Sequence, residues 1–263
     1  MSTTIVVIAL LDPAARHRAE VWPVRIGNGA HRLTELHGMS IEHVPASGDL
    51  PRIMREQEQR GVAALVIADI YGLGWGQEIG AYRPGIPTVF IGVGPGPTGI
   101  PSVLYDQEQA GSDAATALLD GGAQRIAWLG ALDWEWARLR ERGAAAALAR
   151  RGLPQLTRVS RTEGQEMEHA LVANGLGVGW GVLALDGNHG RQAARAMLHL
   201  GLRSVRVICF DDISEAESLE ISTVDPPLEE AGLIAAQTIL AILKGRPVES
   251  RTVVSGQIIV RWR

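Results

Sequence analysis

The chain has 263 residues, a length that predicts one or two domains and allows a sizeable core. Hydrophobic residues make up 46% of it and charged residues 21%, which excludes a disordered chain or a coiled coil. The net charge of −4 excludes a general attraction for nucleic acid. The single cysteine excludes an intrachain disulfide, and no apolar run is long enough to cross a membrane.

The first element predicted along the chain is a strand near its amino end. Residues 5–11 are apolar, but no Lys or Arg precedes them and no clear cleavage site of small residues follows. We therefore expect a strand and not a signal peptide, and a cytoplasmic protein. The lone Cys209 lies in the β-branched run VRVICF, where we expect a buried structural thiol.

Short apolar runs alternate with amphipathic stretches along the rest of the chain. The predicted strands are 3–10, 40–44, 62–69, 86–93, 101–105, 124–132, 156–160, 180–186 and 205–211. The predicted helices are 107–120, 134–150, 189–200 and 227–244. Near-continuous runs of Val, Ile, Leu and Ala are typical of strands covered on both faces. The alternation therefore predicts an α/β protein with doubly wound parallel sheets and right-handed crossovers.

One connection departs from this alternation. The Gly/Pro-rich stretch GVGPGPTGIP (92–101) separates two predicted strands with no helix between them. We predict that the chain leaves one sheet there and enters another, which gives two α/β lobes with a ligand cleft between them. In doubly wound sheets ligands collect beyond the carboxyl ends of the strands.

The sequence carries no clear motif for a nucleotide, a metal or a covalent nucleophile. Gly94, Gly96 and Gly99 have the spacing of a dinucleotide-binding loop, but they open no helix, so we expect a connecting loop. Neither a phosphate-binding GxxxxGK[ST] loop nor a GxSxG elbow is present, and no histidine has metal-ligand spacing. We expect no cofactor and no metal.

Acidic side chains follow most of the predicted strands. They are Asp12, Asp69, Asp106, Asp133, Asp186 and Asp211. Trp134 and Trp136 stand beside one of them, and a cleft with carboxylates and indole rings is suited to a sugar or a nucleoside. Helix capping is the alternative, and we expect it to explain about half of the carboxylates. It does not explain the two tryptophans.

Three segments carry a resemblance to a known family. The segments are IPSVLYDQEQAGSDAATALLDGGAQRIAWLG (100–130), RERGAAAALARRGL (140–153) and the carboxyl-terminal stretch 207–261, which begins VICFDD. In this order they resemble the LacI/GalR family of lactose-repressor-like regulators. Over residues 1–99 the resemblance is weaker and consists mainly of the spacing of the predicted strands.

The resemblance implies a core like that of type I periplasmic binding proteins, with two lobes joined by three crossovers. Residues 1–104 and 226–246 would form the first lobe, and residues 105–225 and 247–263 the second. It also implies binding of an effector in the cleft and pairing of two copies side by side as a homodimer.

The resemblance further assigns roles to individual residues. Arg140 would clamp the ligand, Asp211 would accept ligand hydroxyls, and Tyr105, Trp134 and Trp136 would supply aromatic rings. Arg138 and Arg142 are expected on other faces of the helix, and Asp212 is expected to point away and serve a turn or a cap. The candidate ligand-binding residues are thus Asp12, Asp69, Tyr105, Trp134, Trp136, Arg140, Asp186 and Asp211.

The chain also departs from the family pattern. Asp186-Gly187 stands for the usual Asn-Asp, Pro226 for the usual Gln, and Cys209 for the Gly before Phe210. These departures are compatible with either a different ligand or a repurposed cleft. Family members usually begin with a helix-turn-helix, whereas this chain begins at the first core strand. We therefore expect it to bind operator DNA only if a helix-turn-helix accompanies it.

These observations favour the effector-sensing core of a LacI/GalR-type regulator that binds a small polar ligand, a sugar or a nucleoside. A solute-binding protein of the same fold, serving a transporter, is the alternative. An enzyme that uses Asp211 and Asp212 with Arg140 is a third and less favoured hypothesis. We expect a homodimer, no enzymatic activity and no association with a membrane.

Overall fold

The computed structural model describes residues 4–10, 21–46, 49–69, 72–159 and 166–262. The strands are β1 (Thr4–Leu10), β2 (Ser40–Ala46), β3 (Ala64–Asp69), β4 (Thr88–Gly92), β5 (Ser102–Tyr105), β6 (Arg125–Leu129), β7 (Thr157–Val159), β8 (Trp180–Ala184), β9 (Arg206–Phe210), β10 (Ser222–Asp225), β11 (Arg251–Val254) and β12 (Gln257–Ile259). The helices are α1 (Val21–Leu36), α2 (Leu50–Gln59), α3 (Trp75–Tyr82), α4 (Gln107–Asp120), α5 (Glu135–Arg150), α6 (Met167–Ala173), α7 (Gly187–His199) and α8 (Leu228–Leu243). Within these described ranges, no helix is long and apolar enough to cross a membrane.

The chain forms two compact units. The first contains the residues up to Tyr105 together with Pro227–Val254, and the second contains Asp106–Pro226 and Ser255–Arg263. Each unit has a six-stranded sheet, with the orders β11-β5-β4-β3-β1-β2 and β12-β10-β9-β8-β6-β7. Among the strands that the structure describes, every pairing is parallel except that of β12 with β10. The predicted α/β class with two doubly wound sheets is confirmed.

The predicted change of sheet at residues 92–101 is wrong. Strands β4 and β5 are parallel neighbours in the first sheet, with Phe90 opposite Ser102. The Gly/Pro-rich stretch returns the chain to the start of the neighbouring strand without a helix. An extended loop of this length can do so because each residue spans up to about 3.3–3.6 Å.

The boundaries of the two units differ from the expected ones near the carboxyl end. We expected the first lobe to end at residue 246, but the first unit continues to Val254. The reason is β11, which pairs with β5 along its whole length and so completes the first sheet. This strand is half-exposed at the sheet edge and has no long apolar run, so the sequence pattern does not reveal it.

Burial on both faces explains the near-continuous apolar strands. In β1, Ile5 and Val7 pack with Ile26 of α1 and with α8, while Val6 and Ile8 pack on the opposite face with α2 and α3. Successive side chains of a strand point to opposite faces, so a sheet covered on both sides requires apolar residues at every position.

Helices α1 and α8 of the first unit approach each other unusually closely. A Cβ atom on Gly29 would overlap the carbonyl oxygen of Glu229, and one on Gly232 would overlap that of Ile26. Beside this contact, the Arg25 guanidinium donates to both carboxylate oxygens of Glu229, at 2.6 and 2.7 Å. These hydrogen bonds hold the pKa of Glu229 below its ordinary value.

The second unit repeats this arrangement between α4 and α5. A Cβ atom on Gly111 would overlap the carbonyl oxygen of Arg140, and one on Gly143 would overlap that of Glu108. Here the Arg142 guanidinium donates to both carboxylate oxygens of Glu108, at 2.9 and 2.6 Å. In each unit, two of the described helices are thus held in backbone contact through a pair of glycines.

Replacing one of these glycines by alanine should separate the helices and destabilise the protein. We expect Gly232→Ala to lower the free energy of unfolding by about 1–3 kcal/mol or more, because the added methyl group meets backbone and not a flexible side chain. Gly80→Ala is the matched control in α3, since its Cβ would make only ordinary contact with Pro97, at 3.8 Å. That control should be neutral or stabilising by about 0.5–1 kcal/mol. Urea denaturation followed by circular dichroism measures both, and equal effects would contradict the packing described here.

Candidate functional site

Arg140 is the centre of the candidate site. It lies on α5 in the second unit and is only 4% exposed. Its Nε donates to the Oε1 oxygen of Gln107 at 2.6 Å, and its Nη1 donates to the carbonyl oxygen of Leu185 at 3.1 Å. The guanidinium carbon is 4.3 Å from the centre of the Phe210 ring and 4.6 Å from that of Trp136. These contacts of the buried cation are with two neutral oxygens and two aromatic rings.

These contacts come from the carboxyl ends of neighbouring strands. Leu185 directly follows β8, and Phe210 is the last residue of β9. The Phe210 ring also packs against Trp128 of β6, with ring centres 6.3 Å apart, and the Trp128 indole donates to the carbonyl oxygen of Gly130. Parallel strands end at the same sheet edge, which is where ligands bind in α/β proteins.

Asp211 is the residue after Phe210, directly beyond the end of β9. Its backbone has a φ of 75°, which is uncommon for a residue other than glycine and is found most often at functional sites and turns. Its N–H donates to the carbonyl oxygen of Val224, which ties the strand end to β10. The side chain is half-buried.

Asp212 has a different role from the expected one. Instead of a turn or a helix cap, its carboxylate accepts hydrogen bonds from the Thr223 hydroxyl at 2.9 Å and from the Arg261 guanidinium at 2.7 Å. The backbone N–H of Arg261 in turn donates to Ser222. Asp212 therefore anchors the carboxyl-terminal segment to β10, a contact between residues 49 positions apart that sequence spacing does not indicate.

Two of the predicted carboxylates are helix or loop caps. Asp186 accepts from the backbone N–H groups of Asn188 and His189 at the start of α7, and from the His189 ring. Asp69, in the first unit, accepts from the N–H groups of Leu73 and Trp75. Burial raises the pKa of the Asp69 carboxyl above its ordinary value, although these backbone bonds oppose the change. Capping, the alternative to ligand binding, describes both contacts.

The aromatic candidates lie in different surroundings. Trp136 is half-buried with its ring over Arg140, whereas Trp134 precedes α5 and is 45% exposed. Tyr105 is the last residue of β5 and of the first of the two chain segments that form the first unit. Asp12 lies outside the described residues.

The second unit thus brings four of the predicted residues to one sheet edge: Trp136, Arg140, Asp186 and Asp211. Arg140 directly contacts Leu185 and Phe210. Asp186 follows Leu185 in the chain, and Asp211 follows Phe210. That all four bind a ligand remains a prediction. Across the described ranges, no cluster of three or more His, Cys, Asp or Glu side chains is placed to hold a metal ion.

Sequence reasoning missed two residues of this cluster, Gln107 and Phe210. Phe210 could have been found because it lies near the carboxyl end of a predicted strand, next to Asp211. Gln107 offers only the signal that it follows Tyr105-Asp106 at a strand end. Its contact with Arg140 joins residues 33 positions apart and requires the packing of α4 on α5.

The unusual Cys209 is accommodated by a neighbouring glycine. Cys209 is fully buried in β9, and a Cβ atom on Gly190 of α7 would lie 2.6 Å from the Cys209 Cβ and 2.9 Å from its Sγ. The absence of a side chain at Gly190 therefore provides the space that Cys209 fills. The expectation of a buried thiol agrees with this environment.

Comparison with known proteins assigns the chain to a family. A family model described as a periplasmic binding protein-like domain matches residues 105–262. Comparison with the curated proteins gives no match.

Solved structures share the fold. A putative LacI-family transcriptional regulator from Rhizobium etli is similar with a TM-score of 0.79 at 20% identity, over 99% of this chain and 98% of that one. A LacI-family regulator from Enterococcus faecium with bound ribose has a TM-score of 0.72 at 19% identity, over 98% of this chain and 97% of that one. A periplasmic binding protein/LacI transcriptional regulator from Alkaliphilus metalliredigens, complexed with D-xylulofuranose, has a TM-score of 0.71 at 16% identity, over 99% of this chain and 98% of that one. The fold implied by the resemblance to LacI/GalR regulators is confirmed.

The pairing of Cys209 with Gly190 can be tested by exchange. We expect Gly190→Ala to lower the free energy of unfolding by about 1–3 kcal/mol through overpacking. Adding Cys209→Gly should restore part of it, with a coupling energy of about 0.5–3 kcal/mol between the two sites. Cys209→Ala is the matched control, because it keeps the Cβ atom that causes the overlap and should restore less. Urea denaturation of the variants measures these effects, and additive losses would show that the two residues do not compete for space.

Proposed function

This chain belongs to the family of periplasmic binding protein-like domains, and from that premise we propose that it binds a small polar ligand, a sugar or a nucleoside. The site we propose is the carboxyl edge of the second sheet, with Arg140 as its central residue. Asp211, Asp186 and Trp136 complete the proposed contacts in the second unit. The other residues predicted from the sequence, Asp12, Asp69, Tyr105 and Trp134, remain part of the proposal.

The observation that carries this proposal is the environment of the Arg140 guanidinium. Arginine keeps its positive charge under all ordinary conditions, and burial of a charge costs free energy that its surroundings have to offset. Here the Trp136 and Phe210 rings cover the guanidinium, while Gln107 and Leu185 orient two of its N–H groups. A planar fork held in one orientation is suited to binding vicinal hydroxyls or a carboxylate.

The ligand class is supported by the similar solved structures. One regulator was solved with ribose and another with D-xylulofuranose. Both are small polyhydroxylated molecules, which agrees with the carboxylates and the indole ring near Arg140. Asp211 would accept hydroxyl hydrogens, and the half-buried Trp136 would border the ring of the ligand.

We assign the binding to gene regulation in the cytoplasm. The ligand would bind one conformation better than another and shift the population toward it, which in a regulator changes the placement of DNA-binding segments. The chain would act as a homodimer and would bind operator DNA only together with a helix-turn-helix. Delivery of a solute to a transporter is the second candidate, because the matching family is described by periplasmic binding proteins.

Thermal melting with added D-ribose, D-xylulose, D-glucose and adenosine tests the site. We expect at least one compound to raise the Tm of the wild type, and Arg140→Ala and Asp211→Ala to abolish this increase. Arg140→Lys keeps the charge but loses the planar fork, so it should also bind poorly. Arg142→Ala is the control: Arg142 is exposed and paired with Glu108, so this variant should respond like the wild type.

Because Arg140 is buried, its replacement should lower the Tm of the ligand-free protein as well. The decisive quantity is therefore the increase in Tm on adding a compound, not the Tm itself. An increase retained by both Arg140→Ala and Asp211→Ala would contradict the site. The absence of an increase in the wild type with all four compounds would contradict a sugar or nucleoside ligand.

Sedimentation velocity tests the proposed assembly. We expect a dimer at micromolar concentration, since the resembled regulators pair their cores. Only monomer over that concentration range would contradict the homodimer and weaken the assignment to a LacI-type regulator.

A further inference from the structure

The two units allow an internal comparison of the positions around their helix contacts. In the first unit, Gly232 of α8 lies against the backbone of Ile26 on α1, and Leu228 lies one helical turn before Gly232. Residues one turn apart share a face of a helix, so Leu228 lies on the face directed at α1. Ile26 and Leu228 are 1% and 4% exposed and belong to the same apolar core cluster.

The second unit has polar residues at these same positions. Gly111 of α4 lies against the backbone of Arg140 on α5, and Gln107 lies one helical turn before Gly111. Arg140 therefore corresponds to Ile26, and Gln107 corresponds to Leu228. Arg140 and Gln107 are also buried, at 4% and 1% exposed, and they are joined by a hydrogen bond of 2.6 Å.

This correspondence separates what the fold requires from what has been added to it. The close helix contact forms in the first unit with an apolar pair, so the backbone arrangement does not need a polar one. Replacing a buried polar pair by apolar residues of similar volume is often neutral or stabilising. The close helix contact therefore does not by itself require the buried pair of Gln107 and Arg140.

The orientation of the Gln107 amide is fixed by its partner. The Arg140 Nε–H is a donor only, so the atom that it contacts has to be the Gln107 oxygen, Oε1. The amide nitrogen, Nε2, is bonded to the same carbon as Oε1, so it lies within a few ångströms of the Arg140 Nε. It is buried and has no hydrogen-bond partner among the residues that the structure describes. An unsatisfied buried donor costs about 1–3 kcal/mol, and such groups normally have a partner.

We propose that Gln107 is a ligand-binding residue of this site, whose Nε2 donates to a ligand oxygen next to the one that Arg140 binds. This inference rests on the proposed function and specifies it further. The Gln107 oxygen already accepts from Arg140, so the groups that this pair offers to a ligand are N–H donors. Such a pair selects a ligand with two neighbouring oxygen acceptors, as in a sugar diol or a carboxylate. The side-chain carbonyl of Gln107 orients Arg140 by accepting its hydrogen bond, and the amide nitrogen of Gln107 donates a hydrogen bond to the ligand.

The test exchanges the polar pair for the pair found in the first unit. Gln107→Leu combined with Arg140→Ile should fold with a urea midpoint equal to or above that of the wild type, and should lose all increase in Tm with D-ribose, D-xylulose, D-glucose and adenosine. Gln107→Glu keeps the oxygen that accepts from Arg140 but removes the N–H donors. We expect it to keep the urea midpoint and to weaken binding of the stabilising compound at least tenfold, measured by isothermal titration calorimetry. Gln109→Leu, an exposed position on the same helix, is the matched control and should bind like the wild type.

Each outcome separates this inference from the proposed function. A urea midpoint of the double variant well below that of the wild type would show that the pair is structural and overturn the inference. Wild-type affinity of Gln107→Glu would limit Gln107 to positioning Arg140 and would likewise overturn its role as a ligand donor. If none of the four compounds stabilises the wild type, the proposed function fails and the ligand contact of Gln107 fails with it.

Discussion

Two helix pairs in this protein approach so closely that only glycine fits at their contacts. In each pair a glycine of one helix lies against a backbone carbonyl of the other, and the relation is reciprocal. This constraint sets the separation and the register of the helices, because backbone cannot yield as a side chain can. In the second unit the carbonyl at the contact belongs to Arg140 itself. The packing that builds the unit therefore also places its buried guanidinium.

The position of that guanidinium has chemical consequences. The helix contact brings Arg140 beside Gln107, and the sheet beneath it presents Leu185 and Phe210 from the ends of two strands. The Trp136 and Phe210 rings pack against the guanidinium, and the Gln107 and Leu185 oxygens accept hydrogen bonds from two of its nitrogens, which favours one orientation of the group. A donor group prepared in this way loses little conformational entropy on binding, which is the main cost of recognition by flexible side chains. The first unit has Ile26 and Leu228 at the same positions, and both belong to its apolar core.

The candidate site shows how far residue types at strand ends can guide prediction. Acidic residues do follow the strands, but Asp69 and Asp186 accept backbone N–H groups, and Asp212 anchors the carboxyl-terminal segment. A carboxylate at a strand end satisfies the start of the next helix as readily as it binds a hydroxyl, so residue type alone does not separate the two roles. Trp136 was singled out because capping could not explain it, and its ring lies over Arg140.

The sequence by itself predicted the α/β class and nine of the twelve described strands. Most of these nine are apolar runs, because a strand that is buried on both faces of a sheet needs apolar residues at successive positions. It also led to Arg140, Trp136 and Asp211 through residues close together in the chain. Tertiary structure alone decided the partners of those residues. Gln107 and Leu185 are 33 and 45 positions from Arg140, and the edge strand β11 joins β5 from the far end of the chain. Such contacts follow from how closely helices pack and how sheets are completed, and neither leaves a periodic trace in the sequence.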